Sequence, residues 1–382
     1  MLATESNASK APGRAAQDHL LFGVQYLRGI AVLLVVIVHA NGIMGLPQYP
    51  WGSPFPFEEA GRFGVAIFFV ISGFIVATIT LDGEGRSRLS PGQFAKRRFI
   101  RILPFMWLCA IGYNLLSGLG TGMFDWASAL RGLTLWPVGE LKPNVLWSLR
   151  NEILFYAIFA LTMLTARRRP LILAAWLLAP LVLAVSTLVW PSLLTGLPGW
   201  ARELVDVVLA GNSTGANLQF GAGLLLGLAR LRGLAALRAR LPFGLALTLV
   251  ASVLGAIVVE AAMAWGLPLP VRLILWTVLA AAIVWLGVIV KGVPSPASSA
   301  GLLLGNASYA IYLVHNAVLL VLMEIAKRLA PGVSAPALWA LFTVGGVAGG
   351  IVVHLLVEAP LIAFLSRRLR APAPVVVTAP AQ

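Results

Sequence analysis

Two basic groups share one stripe of an otherwise apolar stretch: Arg28 and His39, in YLRGIAVLLVVIVHA, are 11 residues apart. At 100° per residue, 11 helical steps return to within about 20° of the starting face while rising ~16 Å. A cation therefore lies near one end of the stripe and an imidazole deep along it. An imidazole there is a candidate general base or nucleophile, because ionisable groups at membrane depth are costly and tend to be functional. A structural reading competes, with Arg28 snorkelling to the headgroups and His39 bonding a neighbouring helix.

Three further constellations carry polar chemistry. WSLRNEILFYAIFAL places Glu152 near Trp147, Ser148 and Arg150. Trp147 alone fits an interfacial belt, but Glu152 is a carboxylate one turn inside a spanning segment, with Ser148 at i−4 as its expected helical partner. GNASYAIYLVHNAVLL carries Ser308, Tyr312 and His315 at i, i+4 and i+7, hence on one face, with Tyr309 beside them. Such a stripe either lines a channel or joins helices. Last, Lys96, Arg97, Arg98 and Arg101 lead into an apolar block, Arg98 and Arg101 on one face. Guanidinium forks match phosphate oxygens, although topology signals and anionic-lipid contacts use the same residues.

These groups need a scaffold. The chain is 59% hydrophobic and 11% charged, with a mean hydropathy of +0.90, too little charge to cover a water-soluble surface. Apolar blocks fall near 22–44, 63–81, 102–120, 146–165, 170–190, 213–229, 241–264, 271–290, 306–326 and 337–361. The expected fold is all-α: a polytopic bundle of about ten transmembrane helices, each able to cross ~30 Å of hydrocarbon, with both termini cytoplasmic. In that orientation 20 of the 28 Lys and Arg residues lie inside, as the positive-inside rule requires. The net charge of +14 is then a topological signal, and no nucleic-acid partner is expected. Residues 1–20 and 371–382 read as disordered cytoplasmic tails flanking a transmembrane domain over 21–370. The stretch up to Met44 reads as a retained helix and not a cleaved signal. With Cys109 the one cysteine, no intrachain disulfide can form.

Taken in order, the motifs resemble those of the membrane-bound acyltransferase family 3. An Arg about ten residues before a His opens the set (Arg28, His39), followed by FFVISGF with Ser72, Gly73 and Phe74. Arg98, Arg101 and Pro104 follow, then the Trp-Ser-Leu-x-x-Glu of Trp147 to Glu152, the Ser-Tyr-x-x-Tyr-Leu-x-His of Ser308 to His315, and Glu358-x-Pro360. Each motif is short; their order is specific, and it spans roughly residues 20–370. The sequence departs where GVAIFF has Ala66 in place of a typical acidic residue, a role left absent or taken by Glu58 or Glu59. It departs again at Arg150 and Asn151, candidates for tuning the acceptor.

The resemblance implies an O-acyltransferase of the bacterial inner membrane that modifies exopolysaccharide or a related glycan. It implies acyl-CoA, in the first instance acetyl-CoA, as co-substrate, with no permanently bound cofactor and no metal. His39 and Glu152 are then the expected catalytic pair, brought together in the outer half of the membrane, and Arg28, Arg98 and Arg101 the coenzyme-phosphate ligands. Trp147, Ser148, Ser308, Tyr309, Tyr312 and His315 are expected to line the substrate channel. The carbohydrate acceptor and membrane lipids complete the partners. Direct transfer and an acyl-imidazole both remain open, and a secondary transporter or a glycan-export partner is the rival class. The orientation has a simple test. In a Cys109→Ala background, the thiol of Arg97→Cys should resist a membrane-impermeant reagent in intact cells and react after permeabilisation; labelling of intact cells would invert the topology.

Overall fold

In hydrocarbon a backbone must satisfy its own N–H and C=O groups, which leaves coiling as the solution for single apolar segments. Each of the ten apolar blocks is accordingly helical. The computed structural model describes residues 21–165, 168–234, 239–240, 243–291, 295–329 and 332–368; the terminal tails read from the sequence lie outside them. In chain order the helices are α1 (Phe22–Met44), α2 (Glu59–Thr80), α3 (Pro91–Thr121), α4 (Trp126–Thr134), α5 (Leu146–Thr162), α6 (Arg169–Val189) and α7 (Gly199–Val205). A π segment, Asp206–Gly215, then runs into α8 (Ala216–Leu231). They are followed by α9 (Gly244–Ala264), α10 (Leu269–Ile289), α11 (Pro296–Leu329) and α12 (Ala335–Val353), and a second π segment, His354–Glu358, continues as α13 (Ala359–Arg368). Two-residue strands, β1 (Ala239–Arg240) and β2 (Val290–Lys291), pair in parallel and leave the all-α class unchanged.

Eight helices among the described residues are long and apolar enough to cross a membrane. Of the ten or so spans expected, α5 with 17 residues and α8 with 16 stand just short of that length, α8 being continued at its amino end by the π segment Asp206–Gly215. The bundle is layered by burial. Over its most apolar window α2 is 72% buried, whereas α6 and the helix running through Ala335–Arg368 are each 17% buried and turn wide apolar faces outward.

Close backbone approach sets the centre. A Cβ at Gly73 of α2 would lie 2.1 Å from the carbonyl oxygen of Phe220 on α8, and one at Gly223 would lie 2.0 Å from that of Val70. Only glycine permits this crossing. Helices α1 and α11 run parallel, with Tyr26 Oη 2.5 Å from Ser298 Oγ at one end and His39 against His315 towards the other. Between them Gly305 abuts the Gln25 backbone.

Helix starts are fixed locally. Ser90 and Gln93 form a capping box before α3, with Pro91 at its first turn, so the arginine cluster lies in the first turns of a well-started helix. The amino end of α2 is capped from a distance: the N–H groups of Glu58, Glu59 and Ala60 donate to Glu260 Oε1 on α9 at 3.0, 2.6 and 2.9 Å. An anion there complements the positive helix end.

The α2–α8 crossing gives a direct test. Gly73→Leu should lower the melting temperature of the detergent-solubilised protein by several degrees or abolish its monodisperse elution, since overpacking costs ~1–3 kcal/mol or more. A variant as stable as wild type would show that the crossing is not tight.

Candidate active site

The polar residues gather around two cavities. One, of about 390 Å³, lies toward the amino end of α1 and is lined by Arg28, Arg98, Arg101, Ser72, Glu152 and Tyr156 among others. The other, of about 860 Å³, lies toward the carboxyl end of α1, with His39, Asn144, Trp147, Arg272, Trp276 and Asn316 in its wall. Val65 and Tyr312 are the two residues that line both. They mark the boundary between an arginine cavity and a histidine cavity.

In the arginine cavity, α1, α3, α5 and α11 each contribute. Arg98 is buried and stacks its guanidinium over Phe94 and Tyr156, 5.4 and 4.9 Å from the ring centroids. Arg101, on the same face one turn on, is exposed. Arg28 is half-buried, with Gln25 Oε1 at 3.5 Å. The carboxylate of Glu152 accepts from Ser72 Oγ at 2.9 Å and from the hydroxyl of Tyr156. Three cations thus face one carboxylate that two hydroxyls hold in place.

The third-motif residues divide between roles. Ser308 Oγ donates to Gly305 O at 2.8 Å, and Tyr309 Oη donates to Ile102 O at 2.9 Å, both from positions lining the arginine cavity. Tyr312 Oη donates to Val145 O at 3.0 Å and lies 2.6 Å from Ser148 Oγ. These contacts hold the boundary residue to the start of α5. Trp147 reaches the histidine cavity, edge-to-face on Phe69.

His39 has a different partner from the one expected. Its Nδ1 lies 2.7 Å from Nε2 of His315, the rings stacked with centroids 5.0 Å apart. His315 is fully buried and lines neither cavity. Its Nδ1 lies 2.8 Å from Ile311 O, which can only accept, so that nitrogen carries the proton. In the neutral pair Nε2 of His315 then accepts from Nδ1–H of His39. What remains is the lone pair on Nε2 of His39, the form a general base needs.

The structure therefore does not bring His39 and Glu152 together. They line different cavities and have different hydrogen-bond partners. Nor does Ser148 meet Glu152, which bonds instead to Tyr156, four residues on in the other direction. His315, expected in the channel wall, sits behind His39. Arg150 donates to the carbonyls of Trp136 and Pro137, so it holds a loop and does not reach either cavity. Ala66 is packed in an apolar cluster. Of the two candidates for its missing carboxylate, Glu58 lines the histidine cavity and Glu59 pairs with Arg62 at 3.0 Å.

Sequence reasoning missed Asn144, Trp276, Arg272 and Asn316. Two of them carried a signal, Asn316 in its place next to His315 and Arg272 as a cation within an apolar block. The loop that presents Asn144 is pinned by Asp125, which accepts from Ser128 N–H at 3.0 Å and pairs with Lys142 at 3.1 Å. These contacts, the Ser128 backbone first, hold the Asp125 carboxyl down to about 2. Among the described residues no cluster of three or more His, Cys, Asp or Glu side chains could hold a metal ion.

Comparison with known proteins adds the next observations. A family model described as "Acyltransferase domain" matches residues 21–355. The exopolysaccharide production protein ExoZ of Rhizobium meliloti (strain 1021) is 30% identical over 319 residues, 79% of this chain and 90% of that protein. The putative membrane-bound transacylase BcsY of Komagataeibacter xylinus is 30% identical over 39% of each chain. The peptidoglycan O-acetyltransferase OatA of Listeria monocytogenes is 33% identical over 86 residues, 22% of this chain and 12% of that protein. No solved structure matches.

The tautomer assignment predicts a spectroscopic result. Nitrogen-15 spectra of histidine-labelled protein should show His39 protonated on Nδ1 and unprotonated on Nε2. His315→Ala should release that preference, and a wild-type pattern in the variant would remove His315 from this role.

Proposed function

The chain belongs to the acyltransferase-domain family, and from that premise we propose that it moves an acetyl group from cytoplasmic acetyl-CoA to a hydroxyl of an exported or surface carbohydrate. One observation carries the reading: a cavity with three arginines meets a cavity lined by the His39 imidazole, whose Nδ1 is bonded to His315, at a boundary of Val65 and Tyr312. The names of the relatives support the acceptor class, being an exopolysaccharide production protein and a peptidoglycan O-acetyltransferase. By the positive-inside argument the arginine cavity opens to the cytoplasm of a bacterial inner membrane, where acyl-CoA is made.

In this reading Arg28, Arg98 and Arg101 hold the phosphates of the coenzyme. Such charge-assisted bonds are strong, and three cations against one carboxylate leave positive charge to spare. Ser308 and Tyr309 flank the path of the pantetheine arm, which delivers its thioester to the Tyr312 boundary. The acceptor hydroxyl enters from the histidine cavity between Trp147 and His39. Nε2 of His39 takes the hydroxyl proton as the oxygen attacks the thioester carbonyl. The tetrahedral intermediate then expels the thiolate, the C–S bond breaks, and the proton held by His39 passes to sulfur. Atoms and charge balance without a further reactant. His315 positions the base, and Glu152 acts on the donor side, holding Tyr156 and Ser72 and balancing the arginines when no donor is bound.

Purified protein assayed with labelled acetyl-CoA and a carbohydrate acceptor tests this. His39→Ala should abolish acylation with normal membrane abundance, and His315→Ala should lower kcat by ~10² or more with little change in KM, since loss of the group that fixes a catalytic imidazole's tautomer costs as much or more. Arg98→Ala and Arg101→Ala should each raise KM for acetyl-CoA by ~10-fold or more, the worth of one charge-assisted hydrogen bond. Absence of thioester turnover in the wild type would favour transport or export instead. Full activity in His39→Ala would remove the base.

A further inference from the structure

The histidine cavity contains polar atoms that the mechanism has not used. Asn316 is 5% exposed and lines this cavity; its Nδ2 donates to Asn144 Oδ1 at 2.9 Å, while its own Oδ1 has no partner within the protein. The Asn316 side chain lies against the His39 imidazole. In the same cavity Trp276, also 5% exposed, has an indole N–H without a protein partner, as has Nε of Arg272. A buried polar atom left unpaired costs ~1–3 kcal/mol, so three of them around one cavity call for a ligand that pairs them.

Their types define that ligand. The wall offers one unpaired acceptor on the residue beside His39 and two unpaired donors. Formal charge at this mouth does not select an anion: Glu58, Glu59 and Glu260 face Arg62 and Arg272, and Glu59 pairs with Arg62 while Glu260 accepts from the start of α2. Aromatic faces flank the space at Phe57, Trp147 and Trp276. Donors, an acceptor and apolar faces without net positive charge suit a neutral sugar ring.

Resting on the acyl-transfer reading, we propose that Asn316 sets the regioselectivity of the reaction by binding the hydroxyl adjacent to the one acylated. The acceptor is then a saccharide ring presenting two vicinal hydroxyls. One gives its proton to Nε2 of His39, and its neighbour donates to Oδ1 of Asn316. Trp276 and Arg272 donate to oxygens on the far side of the ring. A site with a buried acceptor for a substrate hydroxyl rejects an analogue that lacks it far more strongly than an apolar pocket rejects a missing methylene.

The experiment compares the purified full-length protein and its variants on methyl glucoside, methyl galactoside and their monodeoxy analogues, with labelled acetyl-CoA as donor. For the wild type, one deoxy position should abolish transfer, and an adjacent one should lower kcat/KM by ~10²-fold or more. In Asn316→Ala that second penalty should shrink to within about threefold, because the partner of the missing hydroxyl is already gone. Asn316→Asp, which keeps an acceptor oxygen, should retain the penalty and shows that the fold tolerates change at this position. Wild-type discrimination in Asn316→Ala would overturn the assignment while leaving acyl transfer intact. If the wild type consumed acetyl-CoA with none of the sugars, the saccharide reading itself would fall, and this inference with it.

Discussion

The hydrogen bond between His39 and His315 joins the two parallel helices on which both cavities are built. An imidazole within a bundle must find a partner or remain costly. Here each ring has one, and the chain of bonds ends on a backbone carbonyl, Ile311 O, that has no alternative but to accept. That fixed end propagates direction: donor, acceptor, donor, and last a lone pair on His39. The same register brings Arg28 of α1 and Ser308, Tyr309 and Tyr312 of α11 to the arginine cavity. Glycine at 305 makes the approach possible, since a Cβ there would stand 2.1 Å from the Gln25 carbonyl oxygen. Rigid helices in contact along their length therefore set the depth of the base relative to the cations.

Separation of charge follows from this arrangement. Were Glu152 beside His39, the carboxylate would favour an imidazolium there. Instead it lies among the arginines, where it reduces the cost of burying like charges together. Its two hydroxyl donors, Ser72 from α2 and Tyr156 from its own helix, tie two elements together at that cavity. Arg98 of α3 adds a third through its stack on Tyr156. The hydrogen-bond partner left to His39 is then the neutral ring of His315.

Residue chemistry and depth were legible in the sequence; neighbours were not. Every apolar block became a helix because periodicity and length are local properties. The stripe of Arg28 and His39 was readable from 3.6 residues per turn, and it does place the cation in one cavity and the imidazole in the other. Pairing His39 with Glu152 failed because similar depth on two helices says nothing about which helices touch. The actual partner, His315, had been placed on the correct face of its helix but given to the channel. Glu152 was expected to turn toward Ser148, yet i−4 and i+4 are equivalent on a helix and Tyr156 took the bond. Asn144 lies in a loop whose path is set by Asp125 and Lys142, and it had no local signal to read. Trp276 shares a helix face with Arg272 four residues before it, a pairing that became informative only once the cavity was known.

Tyr312 is held by Val145 and Ser148 at the first turn of α5, and α5 also carries Trp147 toward the histidine cavity and Glu152 toward the arginine cavity. One helix thus touches the arginine cavity, the boundary and the histidine cavity within six residues, Trp147 to Glu152. Because α5 begins at its depth inside the bundle, with Val145 and Leu146 fully buried, its first turn and the backbone carbonyl of Val145 face Tyr312. Irregular backbone at that depth is tolerated where it is enclosed by protein or faces a polar cavity. Tyr312, which lies between the arginine cavity and the cavity that His39 lines, is thus also the residue bonded to the start of α5. The walls of the two cavities are joined through that single turn.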